Sequence, residues 1–342
     1  MFDAASGLWG PLWANDAGAS IAVLALLVAL LIDHCWGEPP VRWHPVVWIG
    51  HALAWASQRW APTRASTGPD WHSFARFALF WCVLALLVSL AYAGLQTATL
   101  HYAAQVGQAW LSSSLAALCL GVWLKPLFSW RMLRSEVQAV EAALGQSLEA
   151  GRARLAWLVS RDVTTLDAVQ VRESAIESLA ENLSDSVIAP LFWFLLAGLP
   201  GAALYRLANT ADAMWGYPGW RGHGQHARYW QWAGKWAARA DDVLSWLPAR
   251  LTALLLGLAA AGVPWRSLAQ QARQTPSPNS GWPMAAMALA LQIRLGKPGV
   301  YQLHPAGYLA SASHSAQACH LAARAVGLAC LLVLCLACLW AF

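Results

Sequence analysis

The sequence predicts an all-α polytopic membrane protein: about four spanning helices plus two re-entrant or shallow hydrophobic segments, with helical and loop regions on the cytoplasmic side. Three observations predict it. The 342 residues are 58% hydrophobic and 11% charged, with 23 Trp, a composition of bilayer proteins rather than of soluble domains. Six apolar runs recur along the chain, at 17–32, 77–100, 106–124, 187–205, 251–265 and 325–342. All 22 Lys and Arg lie between Arg42 and Arg324, and none falls within 77–124.

Spanning a bilayer takes roughly 20 apolar residues. The second, third and sixth runs meet that length, and the first is slightly short. Before the first run stand Asp3 and Asp16 and no basic residue, which argues against a cleaved signal peptide. Because Lys and Arg stay on the cytoplasmic side, 33–76 and 125–186 are placed in the cytoplasm and the N-terminus outside. The fourth run is broken by Pro190 and by Gly198-Leu199-Pro200-Gly201, and the fifth has only fifteen residues. The loops 206–250 and 266–324 are just as basic, so both runs are expected to return to the cytoplasmic side, which is permitted where protein or a wet cavity covers the backbone. Residues 1–342 thus read as one integral membrane domain in contact with lipid, with 125–186 and 206–324 largely cytoplasmic. The seven cysteines mostly accompany apolar runs, where free Cys acts as a small hydrophobe. Cys335 and Cys338, spaced C-x-x-C, fall within the last run and are expected as membrane core.

Charge is gathered in clusters between these runs. Glu173, Glu177, Glu181 and Asp185 recur every fourth residue, with Asn182 beside them, and lead into the fourth run. On a helix they form one slowly drifting stripe, and like charges at that spacing repel. A hard divalent cation such as Mg²⁺, which takes oxygen ligands and bridges to phosphates, is the economical counter-charge. Glu177, Glu181, Asn182 and Asp185 approach the membrane segment and are the expected ligands, joined by Asp212. Glu173, farthest from it, is expected on a solvated face. Thr164 or Thr165 with Asp167 is suited to cap this helix. Asn209 and Asp212 stand i, i+3, so one helical turn presents both to one side. Adjacent Asp241 and Asp242 point about 100° apart on a helix. Asp33, Glu38 and His44 flank a rigid Gly37-Glu38-Pro39-Pro40 turn, which reads either as functional or as an interfacial turn anchored by Trp36, Trp43 and Trp48. The breaker-rich loop Ser277-Pro278-Asn279-Ser280-Gly281-Trp282-Pro283 offers hydroxyls, an amide and backbone N–H groups, either as a plain turn or as an anion nest. From Val243 onward there are six basic residues and no acid. That asymmetry follows from membrane topology or from an anion-binding wall opposite a metal-binding one.

Several chemistries are excluded by their missing motifs. There is no phosphate-loop G-x-x-x-x-G-K-[ST], no G-x-S-x-G nucleophile turn and no H-E-x-x-H zinc helix. His223-Gly-Gln-His226 has metal-like spacing but reads as a solvated loop. Nothing resembles nucleic-acid readout.

Read in order, the clusters resemble a known family. They are Asp33-x₃-Gly37-Glu38-Pro39 with His44-Pro45; Arg161-Asp162; Glu177-x₃-Glu181-Asn182-x₂-Asp185; Asn209-Thr210-x-Asp212-x-Met214-x-Gly216-Tyr217; Ala238-Arg239-x-Asp241-Asp242-x₅-Pro248-Ala249-Arg250-Leu251; and Ser277-Pro278-Asn279-x-Gly281-Trp282-Pro283. The series, over about residues 25 to 302, resembles the CobD/CbiB family of cobalamin-biosynthesis membrane proteins, described as adenosylcobinamide-phosphate synthase. The chain departs from the family pattern at Glu38, where Asp is common, at Ser245, where Asn is common, and at Gln302-Leu303, where Phe-Gly-Glu is familiar. The stretch Trp220–Trp236 is longer and richer in His and Trp than expected.

The resemblance implies amide formation between adenosylcobyric acid and (R)-1-amino-2-propanol or its O-phosphate, driven by ATP with Mg²⁺, in a bacterial inner membrane with the site facing the cytoplasm. Its matched positions make Glu181, Asp185, Asp212, Asp241 and Asp242 candidate catalytic groups. On charge logic Arg161, Asn209, Arg250, Ser277, Asn279, Trp282 and His44 become candidate substrate contacts, and all these groups are expected to meet in one pocket. A homo-oligomer or an association with other late cobalamin-pathway enzymes is the expected assembly. Two rivals stay open: a membrane prenyltransferase-like enzyme binding Mg-diphosphate, although no duplicated Asp-rich repeat is found, and a non-catalytic regulator or transporter paralogue.

Overall fold

The computed structural model describes residues 12, 16–222 and 224–340. The chain is built from twelve α-helices and two short hairpins among those residues. Six helical stretches are long and apolar enough to cross a membrane: Ala17–Trp36, Trp71–Ala104, Ala109–Leu144, Ala168–Trp215, Lys235–Ala259 and Ala312–Cys338. It is an all-α polytopic membrane protein. The fourth and fifth apolar runs belong to longer helices than their hydropathy alone suggests. Residues 251–259 of the fifth run are the C-terminal part of a 25-residue helix whose first turns are polar. Hydropathy registers the apolar half and misses the helical continuation.

The chain divides into two compact units, each assembled from separate stretches. The first takes residues up to Phe128 and Pro190–Leu244; the second takes Ser129–Ala189 and Ser245–Cys338. In the first unit, α1 (Asp16–Trp36), α2 (Pro45–Trp60), α3 (Trp71–Ala104) and α4 (Ala109–Leu124) precede the long α8 (Ala189–Trp215). Helices α1 and α4 pack closely because Gly121 carries no side chain: a Cβ there would collide with Val28 and the Ala25 carbonyl. Small residues play this role wherever membrane helices approach one another. Asp70 caps α3, accepting from the Ser73 N–H at 3.0 Å, and the bonds from Ser73 hold its carboxyl below the usual range. The core of this unit is aromatic. Trp215 stacks on Trp230, meets Phe77 edge-on at 4.9 Å and donates its indole N–H to Ser57 Oγ at 2.8 Å, so the buried polar tip is satisfied.

Helix α8 breaks where the sequence predicts. Ala197 and Gly198 leave helical geometry, with Gly198 at φ 66°, a conformation that favours glycine. The break frees the Leu199 N–H, and buried Gln96 on α3 accepts it at 2.8 Å.

In the second unit, α5 (Trp130–Leu144), α6 (Leu148–Leu155), α11 (Gly281–Leu291) and strand β3 (Leu295–Lys297) all pack on α7 (Ala168–Leu183). That central helix buries Glu173, Ser174, Glu177 and Ser178 along with its apolar residues. Helix α7 continues through a π turn, Ser184–Ile188. The polar α9 start (Lys235–Ala259) lies in the first unit and its apolar end in the second, followed by α10 (Trp265–Ala272) and α12 (Ala312–Trp340). Two hairpins complete the fold. The pair β1 (Trp220–Arg221) and β2 (Arg228–Tyr229) is antiparallel, as is β3 with β4 (Tyr301–Leu303). Cys335 and Cys338 are free thiols on α12.

Replacing Gln96 with Leu orphans the Leu199 N–H inside the protein. The expected cost is about 1–3 kcal/mol, read as a lowered thermal midpoint of the detergent-purified protein.

Candidate functional site

In the second unit the acidic stripe is organised around α7. Asp167 caps it in a capping box: Asp167 Oδ1 accepts from the Gln170 N–H at 2.8 Å, and Gln170 Oε1 accepts from the Asp167 N–H at 2.9 Å. Thr164 serves a neighbouring turn instead, donating its N–H and hydroxyl to Asp162 Oδ1 at 2.9 and 2.7 Å. Those bonds hold the exposed Asp162 carboxyl below its ordinary range. The Arg161-Asp162 dipeptide therefore splits its work. Asp162 shapes the turn, and Arg161 Nη2 donates to Glu177 Oε2 at 3.0 Å.

Glu177 is 3% exposed, a position where an unmatched carboxylate is costly. Burial and the neighbouring Glu177 charge push the pKa of the Tyr301 phenol up, so Tyr301 stays protonated, and its hydroxyl faces Met284 Sδ at 3.8 Å. Arg161 and Glu177, assigned separately to substrate and metal by sequence, are thus each other's partner. Glu173 corrects a second expectation. It is buried rather than solvated, with Arg294 Nε donating to its Oε1 at 3.3 Å. A stripe read from spacing alone shows one helix and not the α11 and β3 surfaces that close over it.

A cavity of about 250 Å³ opens beside this pair, lined by Ser178, Glu181, Asn182, Arg161, Lys297 and Tyr301 among others. The Asn182 amide donates back to the Ser178 carbonyl at 2.9 Å and its Oδ1 accepts from Ser186 Oγ at 3.4 Å. Asp185 falls in the π turn, where the Ala189 N–H reaches the Ser184 carbonyl. Such single-turn widenings gather at functional sites.

Arg250, Asn279 and Trp282, together with Ser277, meet elsewhere in the same unit. Arg250 Nη1 donates to the Trp246 carbonyl at 2.6 Å and to Asn279 Oδ1 at 3.1 Å. Its guanidinium lies 4.3 Å from the Trp246 ring centre and 4.8 Å from that of Trp282. Ser277 Oγ accepts the N–H groups of Asn279 and Ser280, each at 3.2 Å. The loop's own donors are turned inward, so this knot positions the start of α11. Gly281 is required there, since a Cβ would strike the Ala272 carbonyl.

In the first unit α8 and α9 bring together the remaining predicted acids. Asn209 Nδ2 lies 3.5 Å from Asp241 Oδ1, and Arg206 Nη1 donates to Asn209 Oδ1 at 3.4 Å. Asp212 and Asp242 are electrostatic neighbours, with Arg239 close to Asp242. The Asp212 side chain folds over Gly216, where any Cβ would clash with it.

The turn after α1 holds a feature that sequence reading missed. Lys125, 3% exposed, places Nζ 3.1 Å from both Asp33 Oδ1 and Glu38 Oε1, and His44 Nε2 lies 3.1 Å from Glu38 Oε2. Burial would raise the Glu38 pKa, but the His44 hydrogen bond and the Lys125 charge outweigh it and hold it below the usual 4.5. The signal was present: a lone Lys ends an apolar run that topology places on the same face as Asp33. Lys297 and Tyr301 were also missed, because they follow the last matched cluster. His226 is exposed in a short turn, and His223 lies outside the described residues.

Among the described residues no three His, Cys, Asp or Glu side chains converge as a metal cage. The carboxylates in the first unit that could hold Mg²⁺, of the kind bound by one or two carboxylates and completed by substrate phosphates, are Asp212, Asp241 and Asp242.

These helices and their charged interior define a multi-pass membrane protein with polar sites built on buried ion pairs. A family model described as CobD/Cbib protein matches residues 26–329. The probable cobalamin biosynthesis protein CobD of Methanothermobacter thermautotrophicus is 39% identical over 287 residues, covering 82% of this chain and 86% of that protein. The cobalamin biosynthesis protein CobD of Chromobacterium violaceum is 41% identical over 284 residues, covering 80% and 81%. That of Brucella suis is 37% identical over 294 residues, covering 82% and 84%. No solved structure matches the chain. The chain belongs to the CobD/CbiB family, and its role lies in cobalamin biosynthesis.

Two stability measurements check the buried pairs. Lys125→Met should destabilise the protein at pH 7 by roughly 3–5 kcal/mol, since it strands two carboxylates. In the wild type the Glu38 contribution is present above 4.5 and is lost as pH falls through the lower folded value, and the variant should lose that acid-dependent part. Arg161→Ala should cost a similar amount, and Glu177→Gln added to it should recover part of the loss, read by thermal unfolding of all three proteins.

Proposed function

We propose that this chain is the ATP-dependent synthetase that joins adenosylcobyric acid to (R)-1-amino-2-propanol or its O-phosphate, acting at the cytoplasmic face of a bacterial inner membrane. The family membership supports the pathway. The observation that carries the chemistry is the α7 cavity, where carboxylate, amide, ammonium and phenol groups line one small space in a chain with 11% charged residues.

A carboxylate does not condense with an amine at neutral pH, so its oxygen must first be converted to a leaving group. In this reading the corrinoid carboxylate oxygen attacks a phosphorus of ATP, expelling ADP to give an acyl phosphate or pyrophosphate to give an adenylate. The amine nitrogen then attacks the acyl carbon. The C–N bond forms, the C–O bond to phosphorus breaks with its electron pair, and a basic group takes the nitrogen's proton. Mg²⁺ arrives with ATP as part of that substrate. Asp212, Asp241, Asp242 and Asn209 are the oxygen donors assigned to it, and Glu181 and Asp185 are the carboxylates assigned to the α7 site. Negative charge grows on phosphoryl oxygens in such transfers, so positioned cations stabilise the transition state. Arg161 and Arg250 act in this scheme by holding Glu177 and the Ser277–Asn279 loop in place.

The test is complementation. A strain lacking the cobinamide-forming step should grow on cobyric acid when it carries this chain. Asp185→Ala and Asp212→Ala should reduce product to below about a hundredth of wild type, with undiminished protein in the membrane fraction. Normal cobinamide formation by both variants overturns the assigned carboxylate roles.

A further inference from the structure

A cavity of about 800 Å³ lies within the first unit and takes no part in the chemistry proposed above. Three membrane-crossing helices wall it, with Ile32 and Trp36 on α1, Leu84, Val88 and Leu95 on α3, and Trp123 on α4. The Gly37–Pro40 turn and the start of α2 close it. Pro39 and Pro40 fix φ in that turn. Gly37, at φ 72°, ends α1 by donating its N–H to the Asp33 carbonyl at 3.0 Å. The space is therefore built into the fold.

Its surroundings say what fills it. Between the lining positions of α3 stand the exposed Leu86, Leu87 and Leu90. On a spanning helix such leucines face hydrocarbon, which is as apolar as they are. The two charged lining groups, Glu38 and Lys125, are 3.1 Å apart and bridge each other. Apart from the Tyr92 hydroxyl and the indole N–H groups, the remaining lining side chains are apolar. Left empty, such a space forfeits the dispersion contacts of its walls, and a methylene chain restores them.

One end of the cavity is marked by aromatic rings. Trp36, Trp43 and Trp48 all line it and all are exposed, Trp36 by 75%. Tryptophan gathers at the depth of lipid headgroups. Trp48 Nε1 donates to the Arg42 carbonyl at 3.0 Å, which ties α2 to the short 3₁₀ turn Val41–Trp43. Arg42 is exposed in that turn, between the lining residues Pro40 and Trp43, with its guanidinium 5.8 Å from the Trp43 ring centre. Among the described residues no carboxylate bridges it. An apolar slot with a guanidinium beside its aromatic end is complementary to a molecule with a long hydrocarbon tail and an anionic head.

We propose that this cavity holds an acyl chain of an anionic phospholipid, with the lipid phosphate on Arg42. The chain fills the gap between α1, α3 and α4 and keeps water from the Glu38–Lys125 bridge. A zwitterionic headgroup carries its own cation beside the phosphate, so the anionic lipid is the better partner for Arg42. The site is independent of the ligase reading.

The experiment uses the full chain, delipidated in detergent and incubated with phosphatidylglycerol that carries a photoactivatable diazirine in its acyl chain. Adducts are counted by intact mass and mapped by peptide mass spectrometry. Wild type should show saturable labelling of cavity residues on α1, α3 or α4, and unlabelled phosphatidylglycerol should compete roughly fivefold better than phosphatidylcholine. Arg42→Gln should abolish that preference while both lipids still compete. Ala91→Trp, which adds an indole at an exposed lining position of α3, should cut the saturable labelling roughly tenfold. Unsaturable labelling spread over the exposed helix faces, equal competition by the two lipids against wild type, or undiminished labelling of Ala91→Trp overturns the proposal. Protection of the cavity residues by adenosylcobyric acid but not by phosphatidylglycerol also overturns it, and assigns the space to the corrinoid.

Discussion

Everything polar in this protein is governed by the cost of holding an ion away from water. A bare carboxylate or ammonium in an apolar interior loses far more solvation than one hydrogen bond returns, so each buried ion must meet its counter-ion. Lys125 sits between Asp33 and Glu38. Arg161 reaches Glu177, and Arg294 reaches Glu173. Arg172 grips Glu141 through three hydrogen bonds, and Ser315 donates to the same carboxylate at 2.8 Å. Because each pair joins segments distant in sequence, matching charge also specifies which segments meet. The first pair ties the ends of α1 and α4, and the others seat α7 against its neighbours.

Departures from regular helix place the remaining polar groups. The π turn after α7 carries Asp185, and the Ser186 carbonyl within it accepts the Ser129 N–H at 2.9 Å. The break at Gly198 in α8 needs Gln96 to complete its hydrogen bonding. At Gly216, Gly234 and Gly281 a side chain would collide with Asp212, the Trp215 carbonyl and the Ala272 carbonyl respectively. Two of these three glycines stand beside predicted site residues, and close backbone approach is the common reason.

The helical membrane class was legible because hydropathy and the placement of basic residues are additive properties of the chain. The break at 198–201 was legible from Gly and Pro chemistry, and the Asp167 cap from its side chain and spacing. The ordered clusters were read as one common pocket, without the particular contacts of Asn209 with Asp241 or of Arg250 with Asn279 and Trp282. Pairing across sequence distance was harder. Spacing gave Glu173 a solvated face because nothing local signals Arg294, which lies 121 residues away. The π turn that carries Asp185 was not read, because it has no sequence mark as clear as Gly or Pro. Lys125 and Lys297 were passed over for opposite reasons: one looked like an ordinary topological charge, and the other stood beyond the last matched cluster.

Paired ions keep the protein folded, and the polar groups that line its cavities are the ones assigned to the chemistry. On that division rests the proposal that carboxylate activation by ATP precedes amide formation. The most direct measurement follows oxygen. Adenosylcobyric acid labelled with ¹⁸O in its reactive carboxylate is incubated with the proteoliposome-bound protein, Mg-ATP and the amine, and the phosphorus-containing products are analysed by mass spectrometry. Label in inorganic phosphate or AMP, matched to amide product, is the predicted result. Amide formed with the label in neither product, or without ATP consumption, contradicts it.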